Sequence, residues 1–175
     1  AKTGVGLGVA AACVIGAYLA FSTPSNAADP SVLFRGALLS GDAAEVARLV
    51  ASDHSLLESG QGRGLTPLLL ATERSDLGVV RVLLDAGALS TAVDGDGQGG
   101  LIYAVKARAN ARELTELLAQ RGAVIDQRRS TDDSTALHLA AEGEPNGSLE
   151  VLVSKGAALE ARDTSGRTPL MRATM

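Results

Sequence analysis

The feature that most constrains this chain is a short apolar motif that recurs four times at nearly constant spacing. Its copies are TPLLLA at residues 66–71, GGLIYA at 99–104, TALHLA at 135–140 and TPLMRA at 168–173. The copies begin 33, 36 and 33 positions apart. Periods of this length are typical of stacked-repeat proteins, in which one unit cannot bury its apolar face without a neighbour. The sequence therefore predicts a stack of similar units.

The second copy shows how each unit is expected to fold. Thr66 occupies an N-cap position and Pro67 the first helical turn, where a fixed φ helps and a missing N–H costs nothing. Asp76 is expected to begin a second helix and Gly87 to end it in a left-handed conformation. Residues 88–98 then form a projecting hairpin loop. The residues predicted to face inward are Leu68, Leu69, Ala71, Val80, Leu83 and Leu84.

The other units follow this plan with local departures. The first unit is predicted as helices over residues 32–40 and 43–51, with Asp42 as the N-cap of the second helix. In the third unit, Gly99-Gly100 replaces Thr-Pro and three extra residues are inserted, so we expect it to be the soft point of the stack. The last helix exposes Leu170 and Met171, so we expect further chain or a partner to cover it.

Three patterns in register resemble the ankyrin repeat: Thr-Pro-Leu-x-x-Ala, Val-x-x-Leu-Leu-x-x-Gly-Ala and Asp-x-x-Gly-x-Thr-Pro-Leu. Gly-Ala pairs at 87–88, 122–123 and 156–157 repeat with them. The resemblance covers residues 31–175 and implies an all-α solenoid of helix-turn-helix units with hairpin loops, here named fingers, in about four repeats plus a partial fifth. It also implies that His138 bonds backbone groups of the neighbouring loop, and that partner proteins bind to the fingers and the inner helices.

The predicted partner contacts lie on the fingers, over residues 58–64, 90–98, 124–134 and 158–167. The candidate residues are Arg63, Asp94, Asp96, Arg128, Arg129, Asp132, Asp133, Glu160 and Arg162, with Ser75, Asp76, Asn110 and Asn146 between the helices. The third finger is the longest and most charged, so it is the first candidate for a partner contact.

The N-terminal segment allows two interpretations. Residues 4–21 carry no charge, and a helix of this length spans about 27 Å, close to the roughly 30 Å of a bilayer core. One interpretation is a retained anchor over residues 1–21 and a linker over 22–30, with the repeats on the trans side, in a periplasm or organelle lumen. The other is a signal peptide cleaved after Ala27, because small residues Ser25 and Ala27 precede Ala28.

A small-residue ladder within the apolar segment would let another membrane helix approach closely. It consists of Gly4, Gly8, Ala12, Gly16 and Ala20. The anchored interpretation therefore includes packing against the membrane helices of a larger complex, for example an energy-transducing or transport assembly.

Composition and motif searches weigh against several other function classes. A net charge of −4 and aromatic residues at only 2% argue against a nucleic-acid partner. One cysteine and two distant histidines give no metal-ligand or catalytic spacing. The Asp94–Gln98 segment resembles the start of a calcium loop, but its twelfth position is Val105 and not Glu. We therefore predict no catalytic residues, no metal and no cofactor.

The sequence as a whole predicts a non-enzymatic protein-protein interaction scaffold. In the leading hypothesis it is tethered to a membrane as an accessory subunit of a larger complex. In the alternative it is a soluble periplasmic or lumenal adaptor or inhibitor, released by cleavage after Ala27.

Overall fold

Residues 29–60 and 62–174 are described in a computed structural model of the chain. Regular structure in these residues is helical, and residues 31–175 form one compact unit. The α-helices are α1 Pro30–Ser40, α2 Ala43–Ser52, α3 Pro67–Glu73, α4 Leu77–Asp85, α5 Gly100–Val105, α6 Ala111–Gln120, α7 Ala136–Glu142, α8 Ser148–Ser154 and α9 Pro169–Arg172. A 3-10 helix, His54–Glu58, follows α2.

The helices form two rows, which confirms the predicted helix-turn-helix stack. The inner row is α3, α5, α7 and α9, and the outer row is α2, α4, α6 and α8, with each helix packed against the next in its row. Within a unit, α3 packs on α4, α5 on α6 and α7 on α8. The core between the rows is aliphatic. Its fully buried members include Leu68, Leu83, Leu101, Leu114, Leu118 and Leu152.

Local capping explains where several helices begin and end. Thr66 Oγ1 accepts from the Leu69 N–H at 3.4 Å, and Pro67 occupies the first turn of α3 as predicted. Asp42 accepts from the Glu45 N–H at 3.1 Å, which confirms it as the N-cap of α2. Gly87 follows α4 with φ of +96°, the left-handed conformation expected of a C-terminal glycine.

Successive fingers are joined by one backbone hydrogen bond each. The Gly95 N–H donates to the Arg63 carbonyl at 3.3 Å, the Ser130 N–H to the Asp96 carbonyl at 2.8 Å and the Thr164 N–H to the Asp132 carbonyl at 3.0 Å. Glycine is needed for this close approach: a Cβ on Gly64 would lie 2.9 Å from the Gly95 nitrogen. The fingers therefore form a continuous row.

The first finger follows the 3-10 helix His54–Glu58, and the backbone that bonds the next finger is at Arg63, within the predicted range of 58–64. Leu56 and Leu57 of this helix are buried against the stack. Their burial explains why the segment is helical rather than a projecting loop.

Packing within the third unit explains why it has Gly99-Gly100 in place of the Thr-Pro pair. Gly99 caps α5 without a side-chain hydrogen bond. A Cβ on Gly100 would lie 3.3 Å from Leu118 Cδ1, and Leu118 is fully buried. The glycine therefore makes room for a leucine of α6. Replacing Thr by Gly at an N-cap costs only a few tenths of a kcal/mol.

The predictions for residues 1–28 fall on a segment outside the described residues. This applies to the apolar helix over 1–21, to the small-residue ladder and to most of the 22–30 linker. Across the residues that are described, none of the helices combines the length and the apolar character needed to cross a membrane.

His138 is a structural residue, as the resemblance implied. Its imidazole is fully buried, its Nδ1 accepts from the Thr135 N–H at 3.2 Å, and its Nε2 lies 3.1 Å from the Arg167 carbonyl oxygen. Because Nδ1 accepts, the proton belongs on Nε2, which then donates to Arg167. The side chain thus caps its own helix and holds the following finger.

Replacing His138 tests this double role. We expect His138→Leu to lower the free energy of unfolding by about 1–3 kcal/mol, because the buried Thr135 N–H loses its acceptor and the Arg167 carbonyl keeps only the Asp163 N–H as a donor. The second and third units have Leu69 and Ile102 at the position of His138, so the stack accommodates a side chain the size of leucine there. Urea unfolding measures the change. His54→Leu, at an exposed histidine, is the control and should stay within about 0.5 kcal/mol. Equal effects of the two substitutions would contradict the assigned role.

Candidate functional site

The structure divides the predicted finger contacts into exposed and internal residues. The exposed ones are Arg63, Asp96, Arg128, Asp133, Glu160 and Arg162. Arg128 also binds two fingers together, because its Nη1 donates to the carbonyls of Asp133 at 3.1 Å and Arg162 at 2.8 Å. Arg162 donates to the Gly166 carbonyl at 2.7 Å.

Asp94 lies at the base of its finger and is only 9% exposed. Its carboxylate accepts from the Tyr103 hydroxyl at 2.5 Å and from the N–H groups of Asp96 and Gln98 at 2.9 and 2.8 Å. Burial alone would raise the pKa of Asp94, but these donors outweigh it and hold the pKa below its ordinary value. Burial and the Asp94 carboxylate in turn raise the pKa of Tyr103. Asp94 thus fastens the finger to α5.

Asp163 makes the equivalent connection between the last finger and α9. Its buried carboxylate accepts from Arg172 Nη2 at 2.7 Å and Nε at 2.9 Å, and from the Arg167 N–H at 2.9 Å. Burial acts to raise the pKa of Asp163, but donation by the Arg167 backbone and the Arg172 guanidinium overcomes it and lowers the pKa. Sequence reasoning did not identify either member of this pair.

Asp132, on the third finger, is the second carboxylate bound by Arg172. Its Oδ2 accepts from Arg129 Nη2 at 2.6 Å and from Arg172 Nη2 at 3.0 Å. Hydrogen bonding to Arg129 is the main cause that lowers the pKa of Asp132, and Ser134 and Arg172 add to it. Glu142 on α7 completes the group, 3.0 Å from Arg172 Nη1. Arg172 therefore joins two fingers and two inner helices.

A signal for these pairs exists within the sequence itself. Asp94 and Asp163 stand five residues before their motif copies, and in those two units the fifth motif residue is polar, Tyr103 or Arg172. The other two units have Gln61 or Ser130 before the motif and Leu70 or Leu139 at the fifth position. The finger carboxylate and the polar helix residue thus occur together or not at all.

A groove beside the fingers has a volume of about 780 Å³. It is bordered by the end of α5, by α7 and the turn that follows it, by the third and fourth fingers, and by α9. Its charged lining residues are Lys106, Arg108, Arg129, Arg167, Arg172, Asp132, Glu142 and Glu144. Ligand-binding clefts usually measure roughly 300–1,000 Å³, so this groove is large enough to hold part of a partner.

The residues predicted between the helices link neighbouring units. Asn110 Nδ2 donates to the Ser75 carbonyl at 3.3 Å, and Asn146 Nδ2 donates to the Val105 carbonyl at 2.8 Å. Ser75 and Asn110 both have positive φ, +63° and +55°. Asp76 forms an exposed ion pair with Arg74 at 3.3 Å. The turns are therefore held by contacts between units.

The described residues contain no group of three or more His, Cys, Asp or Glu side chains that could hold a metal ion. Within the same residues, the polar atoms that are buried all have hydrogen-bond partners. In the groove, Arg129, Arg167 and Arg172 form ion pairs with carboxylates of the fold, and the arrangement suits recognition of charged groups.

Comparison with known proteins gives two family matches. Residues 101–175 match a model of ankyrin repeats in three copies, and residues 63–95 match a model of a single ankyrin repeat. Together these matches include the second unit and everything from α5 onward.

Several curated relatives share parts of the chain. An ankyrin repeat protein of fowlpox virus (strain NVSL) is 33% identical over 108 residues, which cover 62% of this chain and 32% of the viral protein. Human B-cell lymphoma 3 protein is 37% identical over 111 residues, covering 62% of this chain and 24% of that protein. The horse protein named for ankyrin repeat, SAM and basic leucine zipper domains is 41% identical over 93 residues, 51% of this chain and 19% of its own length. The chain thus spans less than a third of these relatives.

Substitution of Arg172 tests its role as the link between fingers and helices. We expect Arg172→Met to lower the urea midpoint, because the Asp163 carboxylate loses its main cationic partner while it stays buried. Adding Asp163→Asn should recover part of the loss, because the remaining side chain is neutral. Arg81→Met, at an exposed arginine of α4, is the control and should change the free energy of unfolding by no more than about 0.5 kcal/mol. A double variant that is less stable than Arg172→Met alone would contradict the pairing.

Proposed function

Since the chain belongs to the ankyrin repeat family, we propose that it is a protein-protein interaction module that binds a partner through its fingers and inner helices. The observation that carries this proposal is the continuous row of fingers, joined by backbone hydrogen bonds, beside a groove of about 780 Å³. A row of fixed loops presents side chains to a partner without the entropic cost of ordering them on binding.

The internal roles of Asp94, Arg129 and Asp132 change which finger residues are proposed to contact the partner. The carboxylates of Asp94 and Asp132 accept hydrogen bonds within the stack, and Arg129 binds Asp132. The proposed contacts are the exposed residues, namely Arg63, Asp96, Arg128, Asp133, Glu160 and Arg162. These side chains mix both signs of charge, as expected of a polar protein-protein contact rather than a lipid surface.

The proposed role is non-enzymatic. Arg129, Arg167 and Arg172 of the groove form ion pairs, and the fully buried His138 is bonded to Thr135 and Arg167. Thr135 Oγ1 lies 3.0 Å from His138 Nδ1, but both residues are fully buried, so this hydroxyl and imidazole are closed to a substrate.

Charge-matched variants test the finger surface. We expect Arg63→Asn, Asp96→Asn, Asp133→Asn and Glu160→Gln together to abolish or strongly weaken co-purification of the native partner. Asparagine suits Arg63 and Asp133, whose φ values are +56° and +55°. The measurement is quantitative mass spectrometry after affinity capture from the native source, with a thermal melt to show that folding is unchanged.

The control for this variant removes the same charges from the outer helices. It combines Arg81→Gln, Glu113→Gln, Glu116→Gln and Glu150→Gln, all at exposed positions. The control should bind the partner as the unaltered chain does. Equal loss in both variants would indicate a general charge effect, and no loss in either would refute the finger assignment.

A second part of the proposal concerns how residues 1–27 determine the location of the repeats. Either they anchor the repeats in a membrane, as an accessory subunit of a larger membrane complex, or they export the repeats and are removed after Ala27. A helix over residues 4–21 would be about 27 Å long, slightly short for a hydrocarbon core of roughly 30 Å. Ser25 and Ala27 provide the small residues that signal cleavage requires. We therefore favour export to a periplasm or lumen, where the module would act as an adaptor or inhibitor.

N-terminal sequencing of the protein from its native source tests export. We expect the mature chain to begin at Ala28 and to be extracted from membranes by alkaline carbonate, because an exported module would be held there only by its partner. A mature chain that still contains residues 4–21 and resists extraction would establish the anchor instead. Ala27→Leu, which removes the small residue before the cleavage point, should block processing, and Asn26→Gln should not.

A further inference from the structure

The residues that line the groove carry more positive than negative charges, whereas the whole chain is negative. The chain has a net charge of −4, yet the groove has five cations, of which three bind carboxylates and two have no carboxylate partner among the residues that the structure describes. Arg129 binds Asp132 at 2.6 Å, Arg167 binds Asp163 at 3.1 Å and Arg172 binds Glu142 at 3.0 Å. Lys106 and Arg108 on one side of the groove, and Glu144 on the other, form no ion pair with the described residues.

Lys106 and Arg108 lie together where α5 ends. Lys106 Nζ donates to the neutral Gln98 Oε1 at 3.0 Å, and both residues are exposed. Burial and, second, the nearby Arg129 charge lower the pKa of Lys106, and they outweigh the smaller opposing effects of the Asp94, Asp132 and Glu73 carboxylates. A carboxylate that binds beside Lys106 would oppose this lowering, because an opposite charge favours the ammonium form.

We propose that this groove binds a short acidic segment of a partner protein, with Lys106 and Arg108 contacting its carboxylates. The inference deepens the proposed function and depends on it, because it names the chemistry of the segment that the interaction module would recognise. Lys106 and Arg108 have no carboxylate partner among the described residues, and ion pairs hold the groove wall beside them in place. The groove therefore presents a positive surface that is complementary to an acidic segment.

The opposite wall sets a limit on the length of the acidic run. Glu144 is exposed in the turn after α7, and Glu142 presents a carboxylate that is 58% exposed. A long polyanion that crossed the groove would meet these like charges, which disfavours a nucleic-acid backbone. The segment that fits therefore has a few adjacent carboxylates, with neutral residues where it passes Glu144.

The experiment measures fluorescence anisotropy with the full chain and three labelled probes. Each probe is a Gly-Ser peptide with a short central run, of glutamate, glutamine or lysine. We expect the glutamate peptide to bind most tightly and to weaken as salt increases, because exposed ion pairs are screened. Lys106→Gln with Arg108→Gln should weaken glutamate-peptide binding about 5- to 10-fold, as two exposed ion pairs are lost. Glu144→Gln should strengthen it about 2- to 3-fold, because a like charge is removed.

The matched control is Arg81→Gln with Lys155→Gln, which removes one arginine and one lysine from exposed sites outside the groove. It should leave peptide binding unchanged. Because a cation at the end of a helix also stabilises that helix, thermal melts of Lys106→Gln and Arg108→Gln are measured in parallel. A folded double variant that binds the glutamate peptide normally, or a chain that binds all three peptides equally, would overturn the proposal.

The outcome is separable from that of the finger experiment. If the native partner co-purifies with the chain but the glutamate peptide does not bind, the interaction function stands and the acidic-segment proposal fails. If the finger variants leave partner capture unchanged while the peptide binds as expected, the finger assignment fails and the groove remains the recognition site.

Discussion

Every unit of this stack depends on its neighbour for the burial of its apolar residues. Val80 and Leu84 of α4 are buried where the next unit packs on them, whereas Leu149 and Val153, at the same positions of α8, are 37% and 42% exposed. Leu68, Leu101 and Leu137 are nearly inaccessible, but the corresponding Leu170 is 75% exposed. Burying apolar surface is the main favourable contribution to folding, so the stability of each unit comes largely from the contact with the next one. The rigid row of fingers depends on the same contacts.

Much of the stack could be predicted from local sequence because its devices are local. Thr66 and Pro67 start α3, Asp42 caps α2 and Gly87 ends α4, and each needs only a few adjacent residues to act. The resemblance to a known repeat supplied the register and the role of His138, whose bond to Arg167 spans 29 positions. Features that require a specific contact between units, such as the fit of Leu118 against Gly100, could not be predicted because they depend on packing across an insertion.

The candidate site also has some features that the sequence predicts and others that depend on contacts between units. The exposed positions of Arg63, Asp96 and Glu160 follow from their place on fingers, which the repeat register gives. The internal role of Asp94 does not, because a charged residue in a turn is usually solvated. Its partner Tyr103 lies on the next helix and is recognised only when the units are aligned with one another. Comparing units within the chain would therefore have identified Asp94 and Asp163 as structural, since both occur with a polar fifth residue in the motif.

Because several carboxylates are bound within the fold, the net charge of the chain does not describe the charge that a partner meets at the surface. Asp94 and Asp163 are nearly inaccessible to solvent, and Asp132 is mostly engaged with Arg129 and Arg172. All three negative charges count in the total of −4, but those of Asp132 and Asp163 are balanced locally by the arginines they bind, while the charge of Asp94 is held by neutral donors at the base of its finger. Screening and pairing both act over short distances, so a partner that enters the groove responds to the charges left without a counterion, not to the sum over the chain. An overall acidic protein can therefore present a locally cationic surface, and Lys106 and Arg108 are where this stack does so.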